Sequence, residues 1–291
     1  MHFARSIWRP PYEAGSALLQ VTAGCTHHRC RFCDLYDVPF ALSPDDEVEA
    51  DIDELARFSP GARRVFITGA NPFGVANARL APILERIRAR IPGVRTIGGF
   101  VRIGDLRHKS DEDLEQWARL GVDDLTIGVE TGFDPALAFM DKGHTAADEL
   151  EQCRRLDAAG IRYSFFYLAG IAGAGRGEEA ARASAEVFSR LRPVRIGVLS
   201  MTLFPASRLA EDVRAGRFQM ASEGELLREI RTLVGELRCE TALSTAHVSD
   251  AVHVEGLLPR DCEPMVARLD RAIAQLDEDA LSRYRRSIRS L

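Results

Sequence analysis

The feature that most constrains the fold is an alternation repeated along the 291-residue chain, short apolar runs separated by longer amphipathic stretches. The runs are residues 17–22, 65–68, 96–103, 125–129, 163–168 and 194–203. Each is rich in β-branched or aromatic residues and bounded by Gly, Pro or Asp, which is strand chemistry. The intervening stretches, 46–58, 77–90, 110–120, 145–159, 178–191 and 208–215, read as helices. Val48, Ile52, Leu55 and Ala56 share one face of the first, and Leu80, Ile83, Leu84 and Ile87 one face of the second. Ser110-x-x-Asp113 and Thr145-x-x-Asp148 are capping boxes, and Gly121 and Gly160 stand where those helices should stop.

Strand-then-helix units at this spacing predict parallel strands joined by right-handed crossovers. Six units fall short of the eight that close a barrel. The expected fold is therefore α/β, a partial (β/α)6 open barrel over residues 9–215. Beyond it, helical stretches at 223–238 and 263–277 flank a strand-like segment at 242–257, with no Pro/Gly/Ser linker before them. Residues 216–291 are expected to be a C-terminal α/β extension packed on the core.

Composition removes several function classes. A hydrophobic share of 46% with 28% charged residues is globular. With 38 basic and 43 acidic residues, the net charge of −5 argues against a nucleic-acid or anionic-membrane partner. No apolar run reaches the roughly 18 residues of a membrane-spanning helix. Arg5, Arg9 and two prolines stand near the N-terminus without the apolar core of a secretory signal. Six cysteines are too few for a disulfide scaffold, so a reduced, cytoplasmic protein is expected.

Three of those cysteines fall within nine residues, in Thr22-Ala23-Gly24-Cys25-Thr26-His27-His28-Arg29-Cys30-Arg31-Phe32-Cys33, directly after the first run. Cys153, Cys239 and Cys262 are scattered singly. Thiolates this close in a reduced compartment serve one metal centre. Three without a close fourth leave one iron of a cubane open, which suits catalysis. A zinc site completed by His27 or His28 is the alternative, although only Cys30 and Cys33 form a CxxC knuckle. Inert thiols fit poorly in a loop this rich in Arg and His.

Cys25-x4-Cys30-x2-Cys33 after the first strand of a βα barrel resembles the radical S-adenosylmethionine (radical SAM) superfamily, although the usual spacing has three residues between the first two cysteines. Arg9-Pro10-Pro11-x-Glu13, Tyr36, Ile127-Gly128-Val129-Glu130-Thr131-Gly132, Lys142-Gly143-His144-Thr145 and Phe204-Pro205-Ala206-Ser207 resemble an uncharacterised branch akin to the coproporphyrinogen dehydrogenase (HemN-like) group. The resemblance implies that Cys25, Cys30 and Cys33 hold a [4Fe–4S] cluster whose fourth iron is chelated by SAM. It implies an enzyme in which SAM is cleaved to a 5′-deoxyadenosyl radical that abstracts hydrogen from a small-molecule substrate. It also implies an electron donor such as flavodoxin or ferredoxin. A non-catalytic iron–sulfur or haem-handling relative and a zinc-stabilised (β/α) protein are the competing readings.

In parallel α/β folds the site lies at the C-terminal strand ends, and the resemblance assigns roles there. Phe32 stands beside the adenine. Gly69, Ala70 and Asn71 occupy the place of a Gly-Gly-Glu segment that binds the SAM amine, through carbonyls or the Asn71 side chain; a plain turn is the competing reading. Arg102, with the parity of Gly98 and Phe100, points inward toward a SAM or substrate carboxylate, or toward Asp105 or Glu130. Glu130 contacts the SAM ribose or methionyl end, or else caps a helix. Gly170 and Ile171 lie against the adenine, and Phe204 flanks it or closes the barrel. Leu199 and Met201 read as core, and His247, His253 and Cys262 as ordinary residues of the extension.

Overall fold

The computed structural model describes every residue except Arg5, Ser6, Asp37 and 289–291; the Arg5 of the N-terminal charge pattern thus lies outside the described residues. The chain forms two compact units. One takes Met1–His28, Leu35–Ile127 and Arg154–Tyr163, the other Arg29–Asp34, Gly128–Cys153 and Ser164–Leu291.

The first unit contains β1 (Ala17–Gln20), β2 (Thr22–Ala23), β3 (Ala41–Leu42), α1 (Asp45–Phe58), β4 (Arg64–Thr68), α2 (Asn77–Arg90), β5 (Thr96–Val101), α3 (Ile103–Leu106), α4 (Asp111–Arg119) and the start of β6 (Leu125–Glu130). β1, β4, β5 and β6 pair in parallel, with Ala17 opposite Val65, Arg64 opposite Thr96 and Phe100 opposite Thr126. α2 buries Leu80, Ile83, Leu84 and Ile87, the face expected from its spacing, and α1 buries Val48, Ile52 and Leu55. Each fully buried side chain of this size contributes about 1.5–3 kcal/mol. The Ser110 capping box forms in both directions, Asp113 N–H to Ser110 Oγ at 3.1 Å and Ser110 N–H to Asp113 Oδ2 at 3.0 Å. Such a cap contributes about 1 kcal/mol. The N-terminal segment is held by Glu13, 1% exposed, which accepts from Arg64 Nη2 at 2.7 Å.

The first apolar run does not stay one strand. It leaves β4 after Gln20, and Thr22 and Ala23 pair antiparallel with Leu42 and Ala41. That short ribbon forms a neck at the base of the cysteine loop.

The second unit contains the end of β6, α5 (Asp134–Phe139), the start of α6 (Ala146–Ala159), β7 (Tyr163–Ala169) beyond its first residue, α7 (Gly177–Phe188), β8 (Arg195–Ser200), α8 (Arg208–Arg214), α9 (Glu223–Glu236), β9 (Thr241–Ser244), β10 (Glu255–Leu258), α10 (Cys262–Ala274) and α11 (Glu278–Ser287). β7 and β8 are parallel from Phe165–Ile196 to Ala169–Ser200. The expected strand at 242–257 is instead two strands. β9 runs parallel to β8, and β10 folds back antiparallel on β9. The reversal is made by Thr245, whose Oγ1 donates to the Val252 carbonyl at 2.6 Å and accepts from Val254 N–H at 2.8 Å. An alternating run carries no mark of such a turn. α3 and α5 are too short to show a helical period, and α11 buries no residue.

Among the described residues each unit is mixed α/β with parallel strands, the class expected. Among the described residues, no helix is long and apolar enough to cross a membrane.

Candidate active site

In the first unit, the loop leaves β2 through Gly24. Its φ is +68°, and a Cβ there would lie 2.6 Å from the Val38 and Pro39 carbonyl oxygens, so only glycine fits. Cys25 follows, half-buried. Thr26 is fixed by Asn71, whose Oδ1 accepts from Thr26 N–H at 3.2 Å and whose Nδ2 donates to Thr26 Oγ1 at 2.5 Å. The same Nδ2 donates to Asp105 Oδ2 at 2.8 Å. Asn71 is fully buried, so its amide is spent on this knot. Arg102 pairs with Asp105 at 3.5 Å, one of the two carboxylates weighed from sequence, and its backbone N–H donates to Asp105 Oδ2 at 3.2 Å. Gly69 has φ +122° and accepts from Tyr36 O–H at 3.4 Å. Ala70 lies beside it in the bend that leads to Asn71.

In the second unit, residues 29–34 carry Cys30 (half-buried) and Cys33 (exposed). Arg31 anchors this segment. Its N–H donates to the Met140 carbonyl at 3.0 Å, and its carbonyl accepts from Leu209 N–H at 2.7 Å. Its guanidinium donates to Asp212 Oδ2 at 2.9 Å and sits 5.4 Å from the Phe139 ring centroid. Cys33 N–H donates to the Cys30 carbonyl at 3.3 Å, which closes the knuckle. Phe32 packs on an apolar cluster that includes Phe133, Met140, Ile171 and Met201. Met201 and Leu199 are thus core, as expected.

Glu130 ends β6 with φ +68° and accepts from Lys142 Nζ at 2.8 Å. The Lys142 ammonium lies 5.7 Å from the Phe32 ring centroid. Next along the chain, His144 Nε2 meets Glu149 Oε1 at 3.0 Å, and burial pushes the fully buried Glu149 carboxyl well up. After β7, Gly170 has φ +89° and donates its N–H to Glu229 Oε2 at 2.8 Å, while Ile171 is fully buried. Phe204, half-buried, offers its carbonyl to Ser207 Oγ at 2.7 Å at the start of α8.

Of the lone residues, His247 Nδ1 meets Ser249 Oγ at 2.8 Å, and burial lowers its pKa. Cys262 faces the Val234 carbonyl at 3.4 Å. Residues that the sequence reading passed over include Thr26, Arg31, Asp212 and Glu229. Thr26 and Arg31 lie inside the cysteine motif, so adjacency was an available signal. Glu229 is far from Gly170 in sequence and had none.

None of the six cysteines is in a disulfide. Three reachable thiols on one loop are the soft donor set that iron–sulfur clusters use, so the residues fit such a cluster. Among the described residues, no three His, Cys, Asp or Glu side chains are gathered closely enough to hold a single metal ion.

Residues 19–180 match the family model described as the Radical SAM superfamily. The tRNA-2-methylthio-N(6)-dimethylallyladenosine synthase of Pseudomonas fluorescens (strain Pf0-1) is 32% identical over 181 residues, 56% of this chain. The match covers 39% of that relative, so the chain spans about two fifths of its length. Among solved structures, the radical S-adenosylmethionine methyltransferase TsrM from Kitasatospora setae is similar with a TM-score of 0.57 and 19% identity, over 69% of this chain and 37% of that one. Methylornithine synthase (PylB) gives 0.54 and 13%, over 92% and 85%. At these identities the two structures are likenesses of fold.

Proposed function

Because the chain belongs to the radical SAM superfamily, whose model covers more than half of it, we propose that Cys25, Cys30 and Cys33 bind one [4Fe–4S] cluster and that the protein cleaves SAM reductively to take hydrogen from a small molecule. The observation that carries this reading is the loop itself. Three thiols lie within nine residues, outside any disulfide, on backbone held by Asn71 on the Cys25 side and by the Met140 carbonyl and Leu209 N–H on the Cys30 side. Such a cluster, held by Cys25, Cys30 and Cys33, would supply the one-electron chemistry of reductive SAM cleavage.

The chain's own residues position and shield. We assign the SAM amine to the Gly69 and Ala70 carbonyls, because the Asn71 amide is already committed to Thr26 and Asp105. Glu130 serves the ribose or methionyl end, and Arg102, beside Asp105, serves a carboxylate. Phe32, Gly170, Ile171 and Phe204 serve the adenine. The radical SAM core is taken as 9–215 and the extension as 216–291. The net charge of −5 supports a small-molecule substrate over a nucleic acid. The family-like segments support the branch akin to coproporphyrinogen dehydrogenase and, through it, an electron donor such as flavodoxin or ferredoxin, and the low cysteine count supports a cytoplasmic setting.

The test is anaerobic reconstitution with iron and sulfide, followed by dithionite and SAM. A brown protein with four irons per chain that releases 5′-deoxyadenosine is expected, and replacing any one of the three cysteines by Ala should abolish release. Changes at Cys153 or Cys239 should leave the iron in place. Colourless protein with stoichiometric zinc, or a Cys25→Ala variant as active as wild type, overturns the reading.

A further inference from the structure

The turn after β7 is rich in glycine, and three of its N–H groups go to one stretch of chain. Gly170 N–H donates to Glu229 Oε2 (2.8 Å) and Gly175 N–H to Glu225 Oε1 (2.7 Å), both on α9. Ala174 N–H donates to the Gln219 carbonyl just before that helix (2.9 Å). Gly170, Gly173 and Gly175 have φ of +89°, +80° and +77°. Glycines lose the most conformational freedom on ordering, so this turn depends on partners outside itself.

Glu229 does more than close one bond. Its other oxygen accepts from Tyr167 O–H at 2.6 Å. The Ser184 hydroxyl of α7 acts on the same phenol. Ser184 Oγ also accepts from Gly132 N–H at 2.8 Å and meets Thr131 Oγ1 at 2.9 Å. Glu229, Tyr167, Ser184 and Thr131 are all fully buried. A Cβ on Gly177 would lie 2.6 Å from Glu229 Oε2, so α7 opens on a residue bare enough to admit the carboxyl. One enclosed chain of polar groups therefore runs from α9 to the turn after β7 and to the two residues that follow Glu130. A network of this kind holds its members in one arrangement only while every bond is made.

We propose that Glu229 is a positioning residue, which sets the Gly170 turn and the Thr131–Gly132 segment for the nucleotide end of SAM. The ligand's identity rests on the superfamily reading above, whereas the network does not. Tyr167 and Glu225 are the titratable groups that act on Glu229. Burial, the largest influence, pushes its carboxyl up to about 8. In either form Glu229 accepts the Gly170 N–H at Oε2, and in its ionised form Oε1 accepts the Tyr167 O–H. The Ser184 hydroxyl donates to the Ala180 carbonyl at 2.7 Å, so the far end of the chain stays fixed while the Glu229 end titrates.

The test follows protection factors for backbone hydrogen exchange, each rate divided by the intrinsic base-catalysed rate at the same pH, at 170–175 and 131–132 in the full chain without cofactor, from about pH 6 to about pH 9. Glu229→Gln should keep the turn protected and remove its pH dependence. Glu229→Ala should speed exchange in both segments roughly tenfold, with α2 unchanged, and in reconstituted protein should weaken S-adenosylhomocysteine by roughly tenfold, the loss of one buried hydrogen bond. Tyr167→Phe should loosen 131–132 while Gly170 stays held. Wild-type exchange in the Ala variant overturns the proposal, as does a loosened turn with unchanged S-adenosylhomocysteine affinity. Should the Ala variant not fold, a pH profile that persists in the Gln variant also overturns it. Failure of the cofactor reading would show differently, as wild-type protein that takes up no iron yet keeps its exchange pattern.

Discussion

Glu130 reaches Lys142 from a left-handed backbone, with φ +68° and 2.8 Å between Oε1 and Nζ. A non-glycine residue in that region costs on the order of 1 kcal/mol and persists only where its surroundings demand it. Two features supply the demand. The Lys142 ammonium is largely buried and needs a carboxylate. Gly128 leaves the space, since a Cβ there would lie 2.6 Å from Glu130 Oε1. The same ammonium stands 5.7 Å from the Phe32 ring centroid, so the end of β6 is coupled to the cysteine knuckle.

Removing the carboxylate should therefore be felt at the ligand. Glu130→Ala is expected to weaken SAM roughly 10- to 150-fold, the worth of one charge-assisted hydrogen bond of about 1.5–3 kcal/mol. Iron content per chain should be unchanged. Equilibrium dialysis with labelled SAM checks this; unaltered affinity in a destabilised protein would make Glu130 a folding residue alone.

Asn71 should control how well the cysteine loop loads. Asn71→Ala strips Thr26 of two bonds and leaves Asp105 Oδ2 without its 2.8 Å donor. Thr26 is exposed and Asp105 Oδ2 keeps the Arg102 N–H, so the expected loss is about 1 kcal/mol, the net worth of an ordinary hydrogen bond. Iron uptake during reconstitution should fall with it. Denaturant melts and iron assays report the two effects, and normal uptake would show that Thr26 does not need this partner.

Gly69 tolerates no side chain. Its φ is +122°, and a Cβ would lie 2.3 Å from Thr22 Oγ1 and 2.7 Å from the Thr22 carbonyl oxygen. Gly69→Ala is expected to destabilise the first unit by roughly 1–3 kcal/mol. A lowered melting temperature with faster exchange at Thr22 and Ala23 is the signature, and an unchanged melt would refute it.

Stability should decline toward alkaline pH. Burial pushes the Asp250 carboxyl up to about 7 and the Glu229 carboxyl up to about 8. Both values lie above those of the unfolded chain, so the folded state holds these protons more tightly. Their contribution is fully present below about pH 4, where even the unfolded carboxyls are protonated. It is lost as pH rises through about 7 to 8. Melting temperatures of cofactor-free protein between about pH 5 and about pH 9 should fall, and should fall less in an Asp250→Asn, Glu229→Gln double variant. Parallel profiles for the two proteins would contradict this.

By itself, the sequence determined the periodic elements and the cysteine motif. Strand runs, the α2 face and the Ser110 box depend on residues within a few positions of one another, and such local preferences survive in any tertiary setting that buries them. Family membership was legible for the same reason, since the cysteine spacing and the Ile127–Gly132 segment are contiguous. Only the tertiary structure decided which polar groups meet. The hairpin at Thr245 depends on a hydroxyl finding backbone partners seven and nine residues away. The pairing of Asn71 with Thr26, and of Glu229 with Gly170, joins residues separated by 45 and 59 positions. A hydrogen bond acts over about 3 Å, and which distant atoms come that close is set by how the buried faces pack, a condition no local pattern records.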